Sequence, residues 1–241
     1  MPVICVQNRE LVVPGQLLAE GELRAGKGAY REGKRIYSSV VGLARVGEKE
    51  VGVIALEGCY EPTVGDDVIG VVTDRHPHGW IIDLNSPYEG NLFAWDLLGK
   101  VDVFRVDLSS HLAIGDLLFA RVTEVTPMRR VGLEARGPGY GKLRGGWLVE
   151  ITPVKIPRVI GRHRSMISMI QSVTGCTLRV GQNGRIVILG PQEKVAPLVE
   201  AIRMIEREAH TGGLTDRVKA FLEKKLHAGE ETHSRREEAG R

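Results

Sequence analysis

Six basic side chains and no acid fall between residues 151 and 192: Lys155, Arg158, Arg162, Arg164, Arg179 and Arg185. Cations gathered in this way attract a polyanion, because each phosphate they neutralise releases condensed counterions. The densest part is the run Val159-Ile160-Gly161-Arg162-His163-Arg164-Ser165-Met166-Ile167, preceded by Arg158. The same island equally fits a solvated face whose acidic partners come from elsewhere in the fold. The rest of the chain has no comparable excess, and residues 137–150 add only one acid and two bases. Residues 1–65 hold eight acids and eight bases, residues 66–136 eleven acids and seven bases, and residues 193–241 ten of each. The formal net charge of +3 therefore hides one local excess.

Patterns that would do covalent chemistry are missing. Residues 137–142 resemble a phosphate loop only superficially, since Arg136 stands where the first glycine is required and Leu143 where a Ser or Thr is required. His76 and His78 have no nearby carboxylate pair that would complete a metal site. Ser109, Ser110 and His111 are neighbours in sequence, and a triad needs geometry that such spacing does not supply. Cys5, Cys59 and Cys176 are odd in number and scattered, which argues against zinc ribbons and disulfide frameworks. No catalytic residue, metal or cofactor is expected. The apolar runs are too short to span a bilayer and the N-terminus has no secretory pattern, so the expected location is cytoplasmic, with no membrane partner.

The elements that must position these groups are mostly short strands. With 30 glycines, the chain reads as β-rich. Residues 1–65 suggest strands at 16–22, 37–45 and 50–56 and no chemistry of their own. From residue 66 five strands are expected, at 66–75, 80–84, 90–95, 117–125 and 130–135, a count that fits a small Greek-key barrel of the OB type. Residues 137–146 read as a glycine-rich linker. A strand at 147–152, a helix-turn-helix at 157–174 and strands at 176–180 and 185–189 follow, with Asn183-Gly184 as the hairpin turn. Pro191 suits the first turn of a long final helix, whereas Pro197 must kink that helix or begin it. A shorter amphipathic helix at 216–226 and a charged, disordered tail at 227–241 complete the reading. The fold class is multidomain, mainly β plus α/β: an N-terminal β domain at 1–65, the barrel at 66–137, and an α/β domain at 146–226.

The Ile160-Gly161-Arg162-His163-Arg164 segment resembles the KH signature, in which an Ile-Gly pair ends one helix and a basic Gly-x-x-Gly loop leads into the next. Arg164 stands at the second glycine position. The resemblance implies RNA contacts from Arg158, Gly161, Arg162, His163 and Arg164. Gly65-Asp66-Asp67-Val68-Ile69-Gly70, Gly79-Trp80-Ile81-Ile82-Asp83 and Gly115-Asp116-Leu117 resemble S1 domains, which hold single strands on aromatic platforms beside a basic residue. Matching that pattern implies His78, Phe93 and Arg130 as the ring and cation positions, with Trp80, Tyr88 and Arg129 close by. Val12-Val13-Pro14-Gly15, Asp83-Leu84-Asn85-Ser86-Pro87-Tyr88 and Gly181-Gln182-Asn183-Gly184 complete the likeness. From Leu11 to about Leu226 the whole chain is similar to the S1/KH cap subunits of the archaeal exosome. That resemblance implies a non-catalytic RNA-binding protein, three copies of which cap a six-subunit phosphorolytic ring and feed it single-stranded RNA for 3'-to-5' degradation, with residues 1–65 docking to the ring and no role for DNA. The competing expectation is a free or ribosome-associated S1/KH protein of translation.

Overall fold

The computed structural model describes residues 2–99, 107–209 and 211–239, with side chains as far as residue 226. It divides into two units, Met1–Gly58 and Cys59–Arg241. The division lies ahead of the expected boundary at residue 65 because Tyr60 is buried in the barrel core and donates its hydroxyl to Asp66 Oδ2 at 2.8 Å.

The first unit consists of β1 (Val3–Ile4), β2 (Leu11–Val12), β3 (Leu17–Glu20), β4 (Arg24–Ala25), β5 (Ala29–Glu32), β6 (Arg35–Ser38), β7 (Gly42–Val46) and β8 (Glu50–Ala55). They form two four-stranded sheets, ordered β1-β3-β6-β5 and β2-β7-β8-β4. The single strand expected at 37–45 is two strands. Ser38 is buried and its hydroxyl donates to the Val40 carbonyl at 2.6 Å, which turns the chain between β6 and β7. Val12, Ala44, Val51 and Val53 of the second sheet point into a small core with Leu18 and Ile36. The alternate residues face outwards and are also apolar. Leu11, Leu43 and Ile54 lie opposite one another across β2, β7 and β8, and Val13, Val41, Ile54 and Leu56 are exposed beside them.

The second unit begins with the barrel: β9 (Asp67–His76), β10 (Gly79–Asp83), β11 (Glu89–Phe93), a short helix α1 (Ala94–Leu98), β12 (Leu117–Val125) and β13 (Val131–Glu134). The order β13-β11-β10-β9-β12 is closed by pairing of β12 with β13. Closure removes the free edges that a five-stranded sheet would otherwise expose. The third strand stops at Phe93 rather than at residue 95, because Ala94 and Trp95 open α1. Residues 137–146 do not form a free linker. Within them β14 (Gly141–Leu143) pairs with β12, and Lys142 forms an ion pair with Asp116.

The KH-type module follows as β15 (Trp147–Glu150), α2 (Ile156–Ile160), α3 (Ser165–Thr174), β16 (Thr177–Val180), β17 (Arg185–Leu189), α4 (Gln192–Arg207) and α5 (Leu214–Ala239). Its antiparallel sheet has the order β15-β17-β16. One face packs Val149, Leu178, Ile186 and Ile188 against Ile167, Ile170, Leu198, Ile202 and Ile205 of the helices. α4 starts immediately after Pro191 and continues past Pro197 as one helix. Its burial of five apolar residues outweighs the one backbone bond that Pro197 is unable to donate. α5 continues to Ala239, past the expected end at residue 226; the Glu, Arg and Ala content of that segment favours helix once a preceding turn is in place.

The other face of that sheet meets the barrel. Val187 is buried with Ile69 and Phe119, and Leu117, Tyr140, Leu143 and Leu189 surround them. The hairpin turn at Asn183-Gly184 reaches the start of β9. The fully buried Asn183 accepts from the Ile69 amide at 3.1 Å and donates to the Ile69 and Leu84 carbonyls at 2.7 and 2.8 Å. Asn85 donates in return to the Asn183 carbonyl, and the Gln182 amide to the Asp67 carbonyl. Barrel and KH module thus share one hydrogen-bonded core.

Candidate nucleic-acid interface

On the barrel, the pairing of β9, β10 and β11 places His76, Gly79 and Phe93 in one row. Gly79 carries no side chain to separate its neighbours, so the His76 and Phe93 rings meet edge to face across it, with centroids 5.8 Å apart. Phe93 is half-buried, and on its other side Trp95 stacks nearly parallel at 4.6 Å and 9°. The ring that this row brings against Phe93 is that of His76, a residue outside the expected set. His78 is exposed; its amide donates to His76 Nδ1 and its carbonyl accepts from Ala94. Burial lowers the pKa of His76, with His78 adding to the effect and Asp74 opposing it, so the neutral ring is favoured.

Trp80 is removed from the expected set. It is completely buried, and its indole N–H donates to the Leu112 carbonyl at 3.1 Å. A ring enclosed in the barrel core offers no face to a base. Tyr88 and Arg129 do come together, with the guanidinium 5.1 Å from the ring centroid. Arg129 has a left-handed backbone (φ 62°) in the tight turn joining β12 to β13, where its amide donates to the Thr126 carbonyl. Arg130 is exposed in the same turn. Tyr88 precedes β11 and Phe93 ends it, so the two barrel clusters are roughly 15 Å apart along the strand.

The KH loop is made by two helices that nearly abut. α2 ends at Gly161, whose φ of 75° and ψ of 168° turn the chain sharply; a Cβ there would come within 2.6 Å of the Met166 amide. His163 and Arg164 both have left-handed backbones (φ 51° and 63°), and α3 begins at the next residue. The position where a second glycine is expected thus does have a conformation that glycine favours, and Arg164 adopts it with its side chain exposed. Arg158, Arg162, His163 and Arg164 all face solvent beside the positive end of α3.

The basic island divides. Arg185 is 5% exposed and its guanidinium is committed to Asp83 and Glu150, so it belongs to the junction with the barrel. Arg179 lies over the Phe119 ring at 5.8 Å in the same junction. What remains for a phosphate is the cluster around Gly161, with Lys155 just before α2. Sequence reasoning missed His76 and Trp95. The spacing Phe93-Ala94-Trp95 was the available signal for the second; the first depended on knowing the β9–β10 register.

Among the described residues no group of three or more His, Cys, Asp or Glu side chains is placed to hold a metal ion, and no helix is long and apolar enough to cross a membrane. Comparison with known proteins adds an independent line. Residues 9–57 match the family model described as the exosome RNA-binding protein RRP4 N-terminal domain, and residues 147–206 match the KH domain. The chain is 46% identical over 230 residues to the exosome complex component Rrp4 of Pyrococcus abyssi, covering 94% of this chain and 87% of that one. It is 43% identical over 220 residues to its counterpart in Methanothermus fervidus, covering 91% and 98%. A crystallised candidate exosome complex RNA-binding protein superposes with a TM-score of 0.66 at 38% identity, covering 71% of this chain and 99% of that one.

Proposed function

Since this chain belongs to the Rrp4 family of archaeal exosome components, we propose that it is a non-catalytic RNA-binding subunit of such a complex, gathering single-stranded RNA at a cap and guiding it into a phosphorolytic ring. The observation that carries this reading is the fusion of a ring cluster on the barrel and a cationic loop on the KH module into one hydrogen-bonded unit. Rings stack on bases and cations meet phosphates, and a single strand offers both to one surface. A free protein of translation has nothing comparable in its favour, as the relatives described above are named as exosome components.

The first unit serves as the docking part in this proposal. Its outward ladder of Leu11, Leu43 and Ile54, flanked by Val13, Val41 and Leu56, is an apolar sheet face of the kind that marks a protein contact. Three copies on a six-subunit ring would multiply weak RNA contacts through effective concentration.

The test uses purified full-length protein, single-stranded RNA and separately purified ring subunits from the same source. RNA should be retained and not shortened by the chain alone, with or without phosphate and magnesium, and light scattering should show a complex with the ring. Ile54→Asp should abolish that complex and leave RNA retention by the free chain intact. Phosphate-dependent release of nucleoside diphosphates by the chain alone would overturn the proposal.

A further inference from the structure

Trp95 has no role in the core. α1 has five residues, and only Ala94 among them is buried. Trp95 is 46% exposed. Its orientation is nevertheless fixed. One face lies on Phe93, and Phe93 is itself braced by the edge of His76 across Gly79. A Cβ at Gly79 would meet the Leu92 carbonyl oxygen at 2.1 Å, so β10 and β11 are held at the separation that lets this row form. His76, Phe93 and Trp95 therefore make an ordered stack whose last member has an open face.

We propose that the open face of Trp95 is the stacking site for one base of a single-stranded RNA, a proposal that rests on the RNA-binding reading above. A base suits this site better than an apolar protein side chain for two reasons. The exposed surface is one flat ring, and Arg136 lies near Asp96, where an adjoining phosphate of the strand would find a cation. Asp96 and Glu134 offset that charge, so the ring and not the local field supplies the affinity. Recognition by a π face reads no base edge, and the site accepts any base, purines above pyrimidines because they offer more stacking surface.

The experiment uses the full chain carrying Trp147→Phe, so that emission comes from Trp95 and the buried Trp80. It is titrated with an oligoadenylate of about ten nucleotides and with an abasic ribose-phosphate strand of equal length. Oligoadenylate should quench the emission, and the abasic strand should not. Trp95→Leu should weaken oligoadenylate binding about 5- to 100-fold and leave abasic binding unchanged, and Trp95→Phe should restore most of the loss. If Trp95→Leu binds oligoadenylate like the parent, the stacking site is refuted while the RNA-binding function stands. An equal loss for both strands, or failure of Trp95→Phe to rescue, refutes it as well, because either result marks a general effect on the fold. If the parent binds neither strand, both this site and the proposed function fall. Loss of ring assembly with RNA binding unchanged would show Trp95 to be a protein contact instead.

Discussion

Between residues 66 and 136 the chain has four more acids than bases, and yet it sets Phe93, Trp95 and Tyr88 at or near its surface. Between residues 151 and 192 it has six bases, no acid and not one Phe, Trp or Tyr. The two regions are joined by Asn183 and Arg185 into a single core, so the difference is not between two independent proteins. Under the proposed function it is a division of labour: the barrel would offer faces for bases, and the KH loop charge for phosphates. A strand held by both is bound by two kinds of force that respond differently to salt, to base identity and to pH.

The largest expected effect comes from breaking the joint itself. Asn183→Ala would strand the Ile69 amide and the Ile69 and Leu84 carbonyls without partners in a buried site, and should cost about 2–3 kcal/mol of stability. Chemical denaturation should report that loss. Separate transitions for barrel and KH module in the variant would show that Asn183 is what makes them one cooperative unit. Next in size, Phe93→Ala removes the support of the stack. It should lower affinity for single-stranded RNA by about 1–3 kcal/mol with little change in salt dependence. Unchanged affinity in a folded variant would make Phe93 a packing residue and leave the barrel without a base-binding role.

Replacing Arg162 and Arg164 by Ala probes the other side of the comparison. The logarithmic salt slope of RNA binding should become shallower by about 0.7 for each phosphate that is no longer neutralised. A parent-like slope would assign the KH loop to structure alone. The smallest effect concerns His76. Its lowered pKa means that folding disfavours the protonated ring; the stability this gives is complete above the unfolded pKa of about 6.5 and is lost as pH falls through the lower folded value. His76→Phe should flatten that part of the melting-temperature profile below neutrality. An identical pH profile in parent and variant would remove His76 from the account.

The same contrast explains which features are legible in the sequence. The period-two alternation of Leu117–Val125 and the Asn183-Gly184 turn place two elements correctly, because each is a local pattern with a local cause. The loop at Gly161 is legible for the same reason: a helix-ending glycine followed by the exposed Arg162, His163 and Arg164 needs no distant partner to take shape. Trp80 and Arg185 mislead because burial is a property of the whole fold. An aromatic beside a turn glycine looks the same in sequence whether it faces the barrel's interior or its surface. An arginine in a basic run gives no sign that Asp83, about a hundred positions earlier, will claim it. Residues 137–146 mislead in the opposite way: five glycines suggest slack, but β14 needs only Gly141, Lys142 and Leu143 to pair with β12.

That short strand has a practical corollary. The glycine run invites a cut, to yield a barrel for one experiment and a KH module for another. Such a cut would uncover Ile69 and Phe119 on the first piece and Val187 on the second, and would leave β12 with an open edge where β14 had been. Each piece would then carry a sticky seam, and pieces of that kind precipitate or pair with themselves. The smallest portion suited to expression on its own is residues 59–241 taken together, and any half-molecule that fails to bind RNA would be reporting on its torn seam and not on its binding site.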